Sequence, residues 1–244
     1  MSNKRKAQAA RKPRGGKVYV GYLHPADVSA AFHKSMCELL LFDAHGPQRI
    51  VGGGGRYSSA NVAKGRNEHV EAFLAHPAKP EWLLMLDSDM VFEPNLIEEL
   101  LAEASADEFP IVGGLCFGIA DGLLFPTLYG LTLEDGRPRT VRYNDVPENA
   151  MFQVAATGAA CLLIHRRVLT AMGEAGFNAA FPWFQETELS GEPCGEDFTF
   201  CIRAGQLGFP VHVATSVHVG HHKSQVLTYE MFRAQRAAQV QEIS

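Results

Sequence analysis

Residues 82–90 read Trp-Leu-Leu-Met-Leu-Asp-Ser-Asp-Met. The unbroken apolar run at 82–86 is the pattern of a strand covered on both faces, because only such a strand needs apolar side chains at every position. Successive side chains of an extended chain point to opposite faces. Asp87 and Asp89 are therefore expected together on one face, with Ser88 on the other. The carboxyl end of a buried strand is where open α/β sheets bind ligands. Two like charges this close disfavour each other's ionised form. A divalent cation removes that conflict, and hard oxygen ligands suit Mg²⁺ or Mn²⁺, either of which bridges to a diphosphate. A bare Asp-x-Asp also occurs in solvated turns and helix caps. The apolar run before it, and Pro94 placed to open a helix after it, favour a site.

The pattern extends outward from this strand. Residues 17–23 (KVYVGYL) form a first strand, and Pro25 opens a helix through residue 42, with Val28, Phe32, Met36, Leu39 and Leu40 at helical spacing. A short strand at 49–51 ends in four glycines, 52–55. These are read as a flexible loop, because they match neither a phosphate-loop nor a dinucleotide fingerprint. Residues 61–74 make a second helix. Leu96, Ile97, Leu100 and Leu101 mark a third, followed by a strand at 111–117. Turn signals at Asp135-Gly136 and Arg137-Pro138 place a β-hairpin with loops within 125–149. A buried strand at 153–165, a helix to Met172, a loop at 177–193, a helix at 197–207 ended by Gly208 and a strand at 211–213 complete the series. The alternation is that of an α/β domain, largely parallel to about residue 117 and mixed beyond it. The expected divisions are a basic disordered tail at 1–16, one domain at 17–224 with halves meeting at 117/118, and a C-terminal helix at 225–244.

The chain has 244 residues, 46% hydrophobic and 20% charged, which is ample material for a core. No apolar run approaches the roughly 20 residues that span a bilayer, and no signal peptide is expected. Five cysteines, an odd number with no Cys-x-x-Cys, point to a reducing compartment, so the expected location is cytoplasmic. The net charge of −5 is uneven: residues 1–17 hold seven Lys or Arg and no acid, leaving 15 basic against 27 acidic residues, a net of −12. Lys4, Arg5, Lys6, Arg11, Lys12 and Arg14 suit either contact with a polyanion or a solubilising terminus. The acidic body is a poor general surface for DNA.

The strand with Asp87-Ser88-Asp89, the following Met-Val-Phe-Glu-Pro-Asn-Leu and its helix resemble the nucleotide-sugar half of GT-A glycosyltransferases of the family-2 type. Residues 63–67 (AKGRN) are similar to the family's Arg-Asn helix. Residues 156–167 (ATGAACLLIHRR) resemble its Gly-rich acceptor-side strand. Gly195-Glu196-Asp197-Phe198 and Val219-Gly220-His221 resemble its late acidic motif and its C-terminal metal histidine. The likeness spans about residues 17–224 and includes glycosyltransferases of actinobacterial phages, whose enzymes would act in the host cytoplasm. It implies a Rossmann-related mixed sheet flanked by helices in a single domain. The implied activity is metal-dependent transfer of a hexose from a nucleotide-diphosphate-sugar, a UDP-sugar by expectation, to an acceptor hydroxyl with inversion. The implied ligands of Mn²⁺ or Mg²⁺ are Asp87, Asp89 and His221, with His222 as the fallback and Asp87 also serving the ribose. His24 would seat the nucleotide base.

Other roles rest on chemistry. Arg66 has the fork that pairs with a diphosphate, or is a helix-surface charge. Glu196 and Asp197 begin a helix, where carboxylates are stabilised whether or not they act. An inverting transfer needs a carboxylate base; the resemblance assigns that role to Asp197, with Glu196 orienting the acceptor. Phe181, Trp183 and Phe184 suit an acceptor wall or plain core packing. Zinc on Cys194, Cys201, His218 and His221 fits no spacing of known zinc sites. A nucleotidyltransferase is the enzymatic rival, but His24-Pro25-Ala26-Asp27 stands where its Gly-rich basic loop belongs. An inactive binding module is the non-enzymatic one. The acceptor is open between modified DNA, a protein and a glycan.

Overall fold

The computed structural model describes residues 16–58, 61–120 and 123–223. The C-terminal helix expected at 225–244, and the basic tail apart from Gly16, lie outside these residues. The first half runs β1 (Val18–His24), α1 (Ala30–His45), β2 (Ile50–Tyr57), α2 (Val62–Ala75), β3 (Trp82–Asp87), β4 (Met90–Val91), α3 (Leu96–Glu103) and β5 (Ile111–Leu115). Four strands, β6 (Phe117–Ala120), β7 (Leu123–Pro126), β8 (Leu128–Glu134) and β9 (Arg137–Arg142), form two hairpins. The chain continues through β10 (Met151–Val154), β11 (Ala156–Thr157), β12 (Cys161–His165), α4 (Arg166–Glu174), β13 (Thr187–Leu189), β14 (Glu192–Cys194), α5 (Glu196–Gln206), β15 (Val211–His218) and β16 (Gly220–His221).

A seven-stranded mixed sheet in the order β10-β15-β5-β12-β3-β1-β2 carries both halves. β3 is central, parallel to β1 and antiparallel to β12. Its side chains alternate between two cores, which is why its sequence is apolar without a break. Leu83 and Met85 pack with Val70, Phe73, Leu169 and Phe200 on one face. Trp82, Leu84 and Leu86 pack with Phe32, Leu39, Ile97 and Leu100 on the other. Burying each such side chain stabilises the fold by about 1.5–3 kcal/mol.

Several boundaries differ from expectation, among them the single strand expected at 153–165, which is β10, β11 and β12 at separate places in the sheets, and the strand expected at 211–213, which runs to His218. The first helix begins at Ala30 rather than Pro25, because Ser29 is its N-cap and its side chain accepts from the Phe32 N–H. Val28 and Leu40 consequently lie exposed, off the buried stripe of Phe32, Met36 and Leu39. The glycines at 52–55 are part of strand β2, paired in parallel with β1 up to His24↔Tyr57. A Cβ at Gly53 would stand 1.9 Å from the Val20 carbonyl oxygen, and its φ is +121°. These glycines thus permit a close backbone approach at a sheet edge. Buried Asp43 fixes the turn into this strand by accepting from the N–H groups of Arg49 and Ile50 at 2.6 and 3.0 Å. The expected loop at 177–193 contains β13, the start of a small hairpin with β14.

Candidate functional site

β3 ends at Asp87, and residues 88 and 89 form a turn rather than further strand. The expected alternation across Asp87 and Asp89 therefore does not hold, and the two carboxylates meet different partners. A cleft of about 370 Å³ opens at this edge. His24 from the end of β1, Arg66 from α2, Asp87, Asp89 and the Glu196-Asp197 pair of α5 all line it. Every residue expected at the site except His221 is on this wall, and His221 reaches it through Asp89.

Asp87 is held by Arg66. The guanidinium is buried, with 4% of the side chain exposed, and its Nη2 donates to Asp87 Oδ1 at 2.9 Å. Its Nε donates to Glu196 Oε1 at 3.1 Å, and its Nη1 to the Ala159 carbonyl at 3.1 Å. Burial alone would lower the Arg66 pKa, but Asp87, Glu196 and Asp197 outweigh it and hold it above the usual value. All three nitrogens are engaged by protein. These bonds use three of its five N–H groups and make Arg66 a clamp between Asp87 and Glu196 on the wall of the cleft. Its neighbour Asn67 donates to the Phe184 carbonyl and accepts from the Trp183 N–H, anchoring that loop to α2.

Asp89 is held from the far end of the chain. β16 pairs antiparallel with β4, setting His221 opposite Met90. Asp89 Oδ2 meets His221 Nε2 at 2.9 Å and accepts from Lys223 Nζ at 2.9 Å. His221 Nδ1 faces the Phe117 carbonyl at 2.9 Å. Both ring nitrogens therefore face acceptors. That arrangement is satisfied by a ring protonated at both, or by one that donates through Nδ1 and offers the Nε2 lone pair to a cation beside Asp89. His222 is exposed and joins through its backbone N–H to the Asp89 carbonyl. His218 faces the Thr215 carbonyl. Lys223 was not anticipated from the sequence; nothing marks it there except its place two residues beyond His221.

Asp197 sits in the first turn of α5 after Gly195, the N-cap. Its Oδ1 accepts from the Phe198 N–H at 2.8 Å. Burial first, then the neighbouring Glu196 charge, push its pKa up to about 6 from 3.8, against the opposing pull of Arg66. Cβ atoms at Gly195 and Gly158 would stand 3.0 and 3.6 Å from its carboxylate oxygens, so side chains at these two positions would crowd that largely buried group. His24 lies between Tyr22 and Tyr57, with ring centroids 6.1 and 6.4 Å away.

Neither the acceptor wall, which the sequence left open against core packing, nor the zinc set, which its spacing disfavoured, is found among the described residues. Trp183 and Phe184 are core residues: Trp183 Nε1 donates to the Leu169 carbonyl, and Phe184 stacks on Phe200 at 4.6 Å. They form no acceptor wall. Cys194 and Cys201 are buried around Thr199 and Thr157, away from His221, so no zinc set forms. Among the described residues no group of three or more His, Cys, Asp or Glu side chains stands ready to hold a metal.

The central mixed sheet flanked by helices, with a cleft at the end of its middle strand, is consistent with the GT-A fold. The chain belongs to the glycosyltransferase-like family 2, whose sequence profile matches residues 52–241. It is accordingly a sugar transferase that draws on a nucleotide-sugar donor. A197 from STIV shares the fold at a TM-score of 0.56 and 15% identity, over 85% of this chain and 86% of that one. GalNAc-T7, solved with UDP, GalNAc and Mn²⁺, shares it at 0.53 and 12% identity, over 84% of this chain and 44% of that one. Among curated proteins no sequence match is found. Among the described residues no helix is long and apolar enough to cross a membrane.

Proposed function

We infer that this chain transfers a hexose from a nucleotide-diphosphate-sugar to an acceptor hydroxyl with inversion. The observation that carries the reading is the shared cleft: a largely buried carboxylate, Asp197, lines the same space as Asp87 and Asp89. Asp197 takes the proton of the acceptor hydroxyl as that oxygen bonds to the anomeric carbon. The bond from this carbon to the diphosphate oxygen breaks, and the nucleoside diphosphate leaves with the electron pair. A base is most effective when its pKa lies near the working pH, and a value of about 6 meets that need better than an ordinary carboxylate. Glu196, fixed by Arg66, keeps the helix end in register with Asp87.

The donor set fits a divalent cation. Asp89 and His221 offer a carboxylate and a ring nitrogen whose partner nitrogen is fixed by a carbonyl. Such cations are commonly bound through one or two carboxylates plus substrate phosphates, not by a closed protein cage. Asp89 and His221 would hold it, with Asp87 alongside. When bound it would neutralise charge on the departing diphosphate. The GalNAc-T7 structure contains UDP and Mn²⁺, so UDP-sugars and Mn²⁺ are the first pair to try.

The test is nucleoside diphosphate release from a panel of nucleotide-sugars, with and without Mn²⁺. Metal-dependent release from one donor, lost in Asp89→Ala, is the expected result. Full activity of Asp89→Ala without metal would overturn the mechanism.

A further inference from the structure

A second cavity, of about 270 Å³, lies on the other side of the α5 N-terminus. Gly195 and Phe198 line it, whereas Glu196 and Asp197 line the donor cleft. Residues three apart share a helix face, so the first turn of α5 forms a ridge between the two spaces. At Gly195 the ridge carries no side chain, and the position of a missing Cβ is 3.0 Å from Asp197 Oδ1.

The cavity is built by the β8–β9 and β13–β14 hairpins. Each closes through a two-residue turn with both φ values positive, Asp135-Gly136 and Ser190-Gly191, the tight form that matches strand twist. Ser190 Oγ donates to the Pro138 carbonyl at 2.9 Å and ties one hairpin to the other. The walls are thus fixed to each other before any ligand arrives.

The lining selects a chemistry. Among the described residues that line the cavity Arg139 is the one cation, and it stands 3.8 Å from Glu192 and 3.7 Å from Glu134. Its charge is already balanced, so nothing here attracts a phosphate backbone. The Thr140 hydroxyl, the Arg139 guanidinium and the Glu192 carboxylate supply donors and acceptors, while Phe198, Leu189 and Pro193 supply apolar surface. Polar groups alternating with apolar and aromatic faces match a ring that carries hydroxyls on its edge and C–H groups on its faces. Pockets for drug-sized ligands run from about 300 to 1,000 Å³, so this cavity suits a single ring, not an extended chain.

We propose that the cavity between the two hairpins is the acceptor subsite, and that it takes a neutral saccharide ring whose hydroxyl is passed over Gly195 to Asp197. The proposal rests on the transferase reading above and deepens it.

The test uses the full chain with a nucleotide-sugar it hydrolyses, offered methyl glycosides of common hexoses and, separately, a DNA duplex carrying hydroxymethylated bases. Thr140→Trp fills the cavity from an exposed strand, and Leu189→Trp fills it from the other hairpin. Expected is transfer to at least one glycoside, with its KM raised at least tenfold in both variants and the circular-dichroism spectrum of the unmodified chain retained. Glycoside transfer undisturbed by both tryptophans would overturn the subsite. Transfer to the duplex but to no glycoside, or hydrolysis without glycoside transfer, would overturn the ligand class. An unmodified chain that hydrolyses no nucleotide-sugar would instead remove the transferase reading itself.

Discussion

Asp87 and Asp89 are two residues apart and equally exposed, each with 36% of its side chain accessible, yet they are held in different ways. Asp87 is paired with a guanidinium that is 4% exposed and bonded to Glu196 as well. Asp89 is paired with His221 and with a lysine that is 51% exposed. Removing one partner of a buried ion pair typically costs about 3–5 kcal/mol, because the remaining charge is left stranded. An exposed pair contributes about 0–1 kcal/mol. The first carboxylate is therefore tied into the framework, whereas the second is held by more accessible partners. A motif that looks symmetrical in sequence is thus held asymmetrically in the fold.

The largest effect is expected at Asp197, the proposed base. Asp197→Asn should lower transfer by about 10²–10⁴-fold. The same variant should be more stable at pH 8. Burial raises the folded-state pKa of Asp197, so its contribution to stability is present below the ordinary value near 4 and is lost as pH rises through about 6. Removing the ionisable group restores on the order of 1–3 kcal/mol, readable by urea denaturation at pH 8, with the difference disappearing near pH 4. In the unmodified chain, activity should rise as pH passes through about 6, because the base must be ionised. A rate independent of pH between 5 and 7.5 would count against Asp197.

Arg66→Ala should come next. It strands Asp87 and Glu196 and should destabilise the fold by about 3–5 kcal/mol, measured by denaturant midpoint. A change below about 1 kcal/mol would show that Arg66 is not the clamp. Lys223→Ala should be the smallest in stability, within about 1 kcal/mol. By freeing Asp89 of a competing ammonium it should tighten Mn²⁺ binding in titration calorimetry. Weaker binding in that variant would mean that Lys223 supports the site and does not compete with the ligand.

Much of this was legible in the sequence where local chemistry decides. Residues 82–86 had to be buried on both faces, and Glu196-Asp197 had to open a helix after Gly195. Helical spacing placed Phe32, Met36 and Leu39 correctly, but the start of that helix depended on the cap at Ser29, and a proline four residues earlier misled. The glycines at 52–55 carry an ordinary loop signal. What makes them a strand is their pairing with β1, a non-local fact that residue type does not report. Arg66 was recognisable as important but not as buried, since its partners lie 21 and 130 residues away in the chain. Lys223 depends on the pairing of β16 with β4, two short strands with little sequence pattern of their own.

The most direct measurement compares unmodified chain with Asp89→Ala in nucleoside diphosphate release from the preferred nucleotide-sugar, across a Mn²⁺ titration. Release that saturates with Mn²⁺ in the unmodified chain and is absent from a folded Asp89→Ala, with a denaturant midpoint little changed, is the predicted result. Equal release by both chains, or release indifferent to metal, would contradict the division of roles between the two carboxylates.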